Sequence, residues 1–225
     1  KRPRMFNLPK AKALVLGESI EYICAGSGPM TVVLVNGSGG PIEGWHKVFA
    51  PLAGFSKVFA YNRPGTGKSS KPIVPQVGSH MVALLRGVLL AANLPAPYVL
   101  VGHSLGGLIV NHFARLYPSE VSAVVLLEAT APKDIQVLAT HESAVQRYMK
   151  KFFDWLAPPH PNAETQHLAA TLSELQLASA FPAIPLVVVT GCKPAMAWAT
   201  PPQALSARAA HQLELASLSP LGKQV

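Results

Sequence analysis

The feature that most constrains this chain is the segment Gly102-His103-Ser104-Leu105-Gly106, because it joins a strand to a helix with no room for a loop between them. Directly before it, Tyr98-Val99-Leu100-Val101 is a short continuous apolar run, the pattern of a strand buried on both faces. Directly after it, Leu105, Leu108, Ile109, Phe113 and Leu116 mark one face at helical spacing, closed by Tyr117-Pro118. A turn this sharp needs flanking glycines, since side chains there would collide with the sheet and the helix. It lifts the Ser104 hydroxyl above the sheet edge at a helix N-terminus, whose dipole favours developing negative charge.

The rest of the chain repeats the alternation. Residues 13–24 read as a hairpin around Gly17 and Glu18, and Thr31 to Val35 is a buried strand that stops at the loop Asn36-Gly37-Ser38-Gly39-Gly40. A short helix from about Ile42 to Leu52, a strand from Lys57 to Tyr61 and a loop from Asn62 to Ser70 follow. Met81, Leu84, Leu85 and Val88 mark a helix, and Val121 to Leu127 and Ile184 to Val189 are further apolar runs. Strands alternating with helices predict an α/β fold: a mostly parallel sheet with helices on both faces.

Residues 132–180 break that rhythm, being helical in character and interrupted by Pro158-Pro159 and Pro161. They are predicted to form a small helical cap over the carboxyl edge of the sheet, with 1–131 and 181–225 as the core; ligands bind at that edge in open α/β sheets. A helix over about 202–218 carries the apolar stripe Leu205, Ala209, Leu213 and Ala216, which leaves His211 on a solvated face. Ser219 to Val225 then reads as the approach to an eighth strand, so the last strand and final helix of the core are expected to be missing.

Composition excludes several classes. With 49% hydrophobic and 13% charged residues the chain is globular. Its net charge of +8 is scattered, and no basic run is interleaved with aromatics, which argues against nucleic-acid binding. No apolar stretch reaches the ~18 residues of a transmembrane span. Cys24 and Cys192 are read as free buried thiols rather than a disulfide, with no metal-ligand spacing around them. Gly65-Thr66-Gly67-Lys68-Ser69 resembles a phosphate-binding loop, but position 62 is Asn62 where that motif needs glycine, and Pro64 removes an N–H. The chain begins at Lys1 without an initiator methionine, which leaves an upstream signal or anchor, and the compartment, open.

Val101-Gly102-His103-Ser104-Leu105-Gly106-Gly107, with Tyr61-Asn62-Arg63-Pro64-Gly65-Thr66-Gly67-Lys68-Ser69 before it, resembles the α/β-hydrolases of the esterase, proline-iminopeptidase and haloperoxidase type, from about residue 12 onward. The resemblance implies that Ser104 is the nucleophile and that the oxyanion hole is built from the backbone N–H groups of Ser38 and Leu105. Asn36 stands where the family usually has histidine. The common family position for the triad acid follows Val189-Thr190-Gly191, where this chain reads Cys192-Lys193-Pro194-Ala195-Met196 without a carboxylate. A second placement, similar to certain haloalkane dehalogenases of the fold, ends the preceding strand and selects Glu128. The family's histidine follows the eighth strand and is expected to lie outside these residues; His103 is assigned to packing of the elbow.

The function expected is a serine hydrolase acting on a small-molecule carboxylic ester through an acyl-enzyme, with no metal or organic cofactor. An aminopeptidase, lactonase or perhydrolase on the same machinery, or an inactive hydrolase fold used for binding, are the alternatives. An aminopeptidase needs carboxylates to hold the substrate amine, and Asp134, Glu142, Asp154, Glu164 and Glu174 form no obvious cluster in the sequence.

Overall fold

In the computed structural model, residues 8–135, 158–191 and 202–225 are described, with side chains of the last segment from residue 207. Eight strands form one sheet: β1 (Ala11–Val15), β2 (Glu18–Ala25), β3 (Thr31–Val35), β4 (Lys57–Tyr61), β5 (Tyr98–His103), β6 (Val121–Leu127), β7 (Leu186–Val189) and β8 (Gly222–Gln224). Their order is β1-β2-β4-β3-β5-β6-β7-β8. β1 and β2 form the antiparallel hairpin, β2 pairs antiparallel with β4, and every later pairing is parallel. The mostly parallel α/β sheet expected from the sequence is therefore observed.

The sheet's two faces are covered by different elements, and strand alternation decides which residues meet which cover. From β3, Val33 and Val35 join α2 (Gly78–Ala91), α3 (Leu105–Leu116) and, through Leu215 and Ala216, α5 (Pro202–Ala216) in one core cluster. Val32 and Leu34 point the other way, onto Ile42 and Trp45 of a 3-10 turn (Ile42–Trp45) and Phe49 of the one-turn helix α1 (Phe49–Leu52). The predicted helix over 42–52 is thus two short pieces. Between β6 and β7, a 3-10 turn (Glu164–His167) leads into α4 (Leu168–Leu177), whose Leu172 and Leu175 share a buried cluster with Leu105 and Leu108.

Several expectations are corrected. The eighth strand is present: Gly222, Lys223 and Gln224 pair in register with Leu186, Val187 and Val188. An edge strand of one glycine and two exposed polar residues carries no apolar signature, which is why the sequence hid it. α3 is buried on every side from Leu105 to Ala114, not along one stripe, and Leu116 is exposed. It runs between the sheet, α2 and α4, so periodicity marks a face that burial does not respect. Among the described side chains of α5 the buried ones are Gln212, Leu215 and Ala216, while Leu213 is 59% exposed. Cys24 is a free, exposed cysteine, standing one residue from the end of β2, where the core contacts of its face stop at Tyr22; Cys192 lies outside the described residues.

Glycine 106 has no freedom to vary. A Cβ there would stand 2.2 Å from the carbonyl oxygen of Val35 and 2.6 Å from that of Asn36, and neither backbone atom can swing aside. At Gly65 a Cβ would meet only Pro72, at 3.6 Å, and the obstacle is its φ of +84°. Gly65→Ala is therefore expected to cost about 1 kcal/mol. Gly106→Ala is expected to cost at least about 3 kcal/mol or to prevent folding. Urea unfolding midpoints of the two variants would check this order.

Candidate active site

Ser104 sits between β5 and α3 with φ 50° and ψ −122°, a conformation a serine rarely adopts. Such strain is worth about 1–3 kcal/mol and persists only where its surroundings over-determine it. Here the Ser104 amide donates to the Leu127 carbonyl at 3.2 Å, and the Ser104 carbonyl accepts from Gly107 at 2.9 Å and Thr130 at 3.1 Å. Gly102 and Gly106 allow the turn to close: a Cβ on Gly102 would meet the Gly106 carbonyl oxygen at 2.6 Å. The serine is left at the carboxyl edge of the central strands, half-buried.

The loop after β3 lies against it. A Cβ on Gly37 would stand 3.1 Å from Ser104 Cβ and 3.2 Å from Nδ1 of the exposed His103. Asn36, where the family usually has histidine, is buried and its side-chain amide donates to the Pro41 carbonyl at 2.6 Å, stapling the loop across its base. Arg63, only 5% exposed, reaches in from the loop after β4. It donates to the Asn36 carbonyl at 2.7 Å and the Gly37 carbonyl at 2.6 Å. In a trans peptide the N–H points opposite to the preceding C=O. Holding these two carbonyls on Arg63 therefore turns the Gly37 and Ser38 amides away from it. The Leu105 amide is the first of α3 and has no partner within its own helix.

Glu164, from the segment between β6 and β7, completes the arrangement. Its carboxylate takes Arg63 in a two-pronged ion pair, Nε to Oε2 at 2.6 Å and an Nη to Oε1 at 3.0 Å, and accepts the Gly39 amide at 3.2 Å. Burial alone would raise the Glu164 carboxyl, but the Arg63 charge and these hydrogen bonds outweigh it and hold the group below the usual carboxylate value. Tyr61 is buried beside Arg63; burial outweighs the neighbouring cation and pushes its phenol up to about 12, so it stays neutral. A cavity of about 190 Å³ opens beside the pair, lined by Ser38, Gly39, Pro64, Thr66, His160 and Glu164 among others. Sequence reading names Arg63 only within a motif and Glu164 only among scattered acids. The single available signal was an arginine directly after a buried strand, since its partner lies 101 positions away.

Glu128 ends β6 in a left-handed conformation, with φ 44°. β5 and β6 run side by side with His103 opposite Leu127, so Ser104 and Glu128 emerge at neighbouring strand ends. One Glu128 carboxylate oxygen accepts the Gly191 amide and the other accepts Arg208 in an ion pair, with the side chain 33% exposed. His211 is not on a solvated face. It shares a 2.6 Å hydrogen bond with Asp134, and both side chains are 11% exposed. The next helical turn explains this: α5 turns Arg208 and His211 toward the chain after β6, where Glu128 and Asp134 wait.

Of the other described histidines, His80 is held on Glu18, His167 on the Pro161 carbonyl and His46 on the Glu43 carbonyl, and His112 is buried in α3, while His160 lines the cavity and accepts the Asn162 amide at 3.2 Å. His141, Glu142, Asp154 and the loop from Cys192 to Met196 lie outside the described residues. Among the described residues no three His, Cys, Asp or Glu side chains gather as a metal-ligand set, and no helix is long and apolar enough to cross a membrane.

Comparison with known proteins agrees with the fold. The family model of the alpha/beta hydrolase fold matches residues 31–206. A pimeloyl-[acyl-carrier protein] methyl ester esterase of Chromobacterium violaceum is 37% identical over 111 residues, 49% of this chain and 41% of that protein. A 2-hydroxy-6-oxononadienedioate/2-hydroxy-6-oxononatrienedioate hydrolase of Paraburkholderia phymatum is 33% identical over 113 residues, 48% of this chain and 39% of that protein. The chain spans less than half the length of the curated relatives it matches, 21% and 41% in two further cases. The crystal structure of the enol-lactonase from Burkholderia xenovorans superposes with a TM-score of 0.66 at 21% identity, covering 96% of this chain and 90% of that one, which supports the fold.

Acid should open the Arg63–Glu164 pair, and neutral pH should not. Because the folded carboxyl titrates below its ordinary value of 4.5, the stability it contributes is present above that value and lost as pH falls through the folded one. Glu164→Gln, which strands a buried guanidinium, is expected to destabilise by about 3 kcal/mol. That difference from wild type should be flat from pH 6 to 8 and shrink below about pH 4.5, as measured by denaturant unfolding.

Proposed function

From the premise that this chain belongs to the alpha/beta hydrolase family, we propose that it is a serine hydrolase of carboxylic esters with Ser104 as nucleophile. The observation that carries the reading is the strained, half-buried Ser104 at the carboxyl edge of the central strands, with the Gly37 backbone packed beside it. In this scheme Ser104 Oγ attacks the ester carbonyl carbon while a histidine takes its proton. The Ser38 and Leu105 amides stabilise the resulting oxyanion, a contribution of about 3–4 kcal/mol for a donor of this kind. Collapse breaks the bond to the alcohol, which leaves with the proton from the histidine. Water then attacks the acyl-enzyme, releasing the carboxylic acid and restoring the serine. The segment 158–180 serves as part of a cap, and Glu128 orients the histidine, which the family places after β8. No cofactor enters this chemistry.

One observation favours the second reading, a hydrolase fold that binds without turning over: Glu128 is already engaged by Arg208 and Gly191. An aminopeptidase draws no support, because Asp134, Glu164 and Glu174 are separately committed to His211, Arg63 and Ser79.

The deciding experiment is hydrolysis of p-nitrophenyl butyrate together with fluorophosphonate labelling, for the full-length gene product and its Ser104→Ala variant. Turnover and label are expected in the wild type, with Ser104→Ala lower by roughly 10⁴-fold or more and unlabelled. A wild type that neither turns over nor labels would favour the binding reading. Turnover that survives Ser104→Ala would remove Ser104 from the mechanism.

A further inference from the structure

We propose that Glu164 is a positioning residue for the oxyanion loop: from the segment between β6 and β7 it fixes Arg63, and through Arg63 it sets the direction of the Gly37 and Ser38 amides. The inference rests on the serine-hydrolase reading for its catalytic consequence, but not for its structural content.

The loop cannot set its own direction. Gly37, Gly39 and Gly40 make it pliable, and a Cβ on Gly39, at φ +63°, would touch nothing within 4 Å. Its internal bonds are the Asn36 staple to Pro41 and the Gly40 amide on the Gly37 carbonyl at 3.1 Å. What orients the two peptide planes facing Ser104 is one guanidinium holding the Asn36 and Gly37 carbonyls together. That guanidinium is itself buried, and a buried cation stays in place only if its charge is answered. Glu164 answers it with both carboxylate oxygens, and one of them also takes the Gly39 amide, so the loop is gripped at Asn36, Gly37 and Gly39. Without Glu164, Arg63 gains by swinging toward water, and the carbonyls it holds are released.

Glu164 is in turn held by the docking of its own segment. The Asn162 carbonyl accepts the Gln76 amide at 3.0 Å, and Glu174 accepts the amide and hydroxyl of Ser79, both at 2.7 Å, at the start of α2. Leu172 and Leu175 are buried with Leu105 and Leu108 of the helix that begins at the nucleophile. Seating this segment and shaping the oxyanion hole are therefore one event. An oxyanion donor acts on the transition state more than on the bound ester, so the effect belongs in kcat rather than KM.

The test uses the full-length gene product with Glu164→Gln, Glu164→Asp and the double variant Arg63→Leu/Glu164→Leu. Amide hydrogen exchange over residues 36–40 is read for each, beside p-nitrophenyl butyrate kinetics. Glu164→Gln is expected to speed exchange of the loop amides at least 10-fold at pH 7 and to lower kcat 10-fold or more, with KM within about threefold. Glu164→Asp should recover part of both. The double variant removes the buried charges together, so its folding stability should return toward wild type while loop exchange stays fast and kcat stays low. Loop exchange within twofold of wild type in Glu164→Gln would overturn the proposal, as would a double variant that regains both stability and kcat. If the wild type shows no Ser104-dependent turnover, the esterase reading falls, and the exchange data alone decide whether Glu164 positions the loop.

Discussion

The contact on which the rest of the site depends is between backbone and backbone, where Gly106 lies against the carbonyls of Val35 and Asn36. Only a residue without a side chain lets the first turn of α3 approach the end of β3 this closely. That approach brings Ser104 beside Gly37 and bends Ser104 into its left-handed conformation. It also fixes where the helix begins, and so where the Leu105 amide points. The neighbouring strands follow, because the Leu127 carbonyl takes the Ser104 amide and Thr130 takes its carbonyl. Ser104, the loop after β3 and the end of β6 are thereby brought together by main-chain geometry alone.

Around that backbone frame the loops are tied down by buried carboxylates, in a chain that has only 11 acidic residues. Glu18 and Glu21 on β2 are almost fully buried. Glu18 accepts the Ile73 amide, the Gln76 side chain and His80; Glu21 accepts Asn62 and the Lys68 amide. Glu164 does the same for the loop after β3. Each spends its acceptor capacity on groups that an irregular segment would otherwise leave unsatisfied, which is how a loop is held in one shape beside a site. The loop containing Gly65 to Ser69 is shaped this way, around a protein carboxylate.

The strands, the antiparallel hairpin, the elbow and the mostly parallel sheet were legible because period, apolar runs and the glycine-flanked serine act locally. What escaped was non-local or masked by burial. β8 is polar and three residues long, so no pattern marked it. Leu116 and Leu213 obey helical spacing yet are exposed, because spacing reports a face and not what covers it. Arg63 with Glu164, and His211 with Asp134, are pairs between distant stretches, joined by how the segment between β6 and β7 folds back. Ser104 and Leu105 could be singled out from one motif, and Ser38 from the loop after β3, through the family resemblance. The manner in which Glu128 is held by Arg208 required the position of α5.

The enclosure of α3 also bears on how the chain emerges during synthesis. Its first residues, Leu105 and Leu108, are covered by Leu172 and Leu175, and its strand β5 is flanked by β6, all made later. At a translation rate of roughly 5–20 residues per second, that face stays uncovered for several seconds after the helix has left the ribosome. The most buried helix among the described residues is thus, for that interval, an apolar surface without a cover.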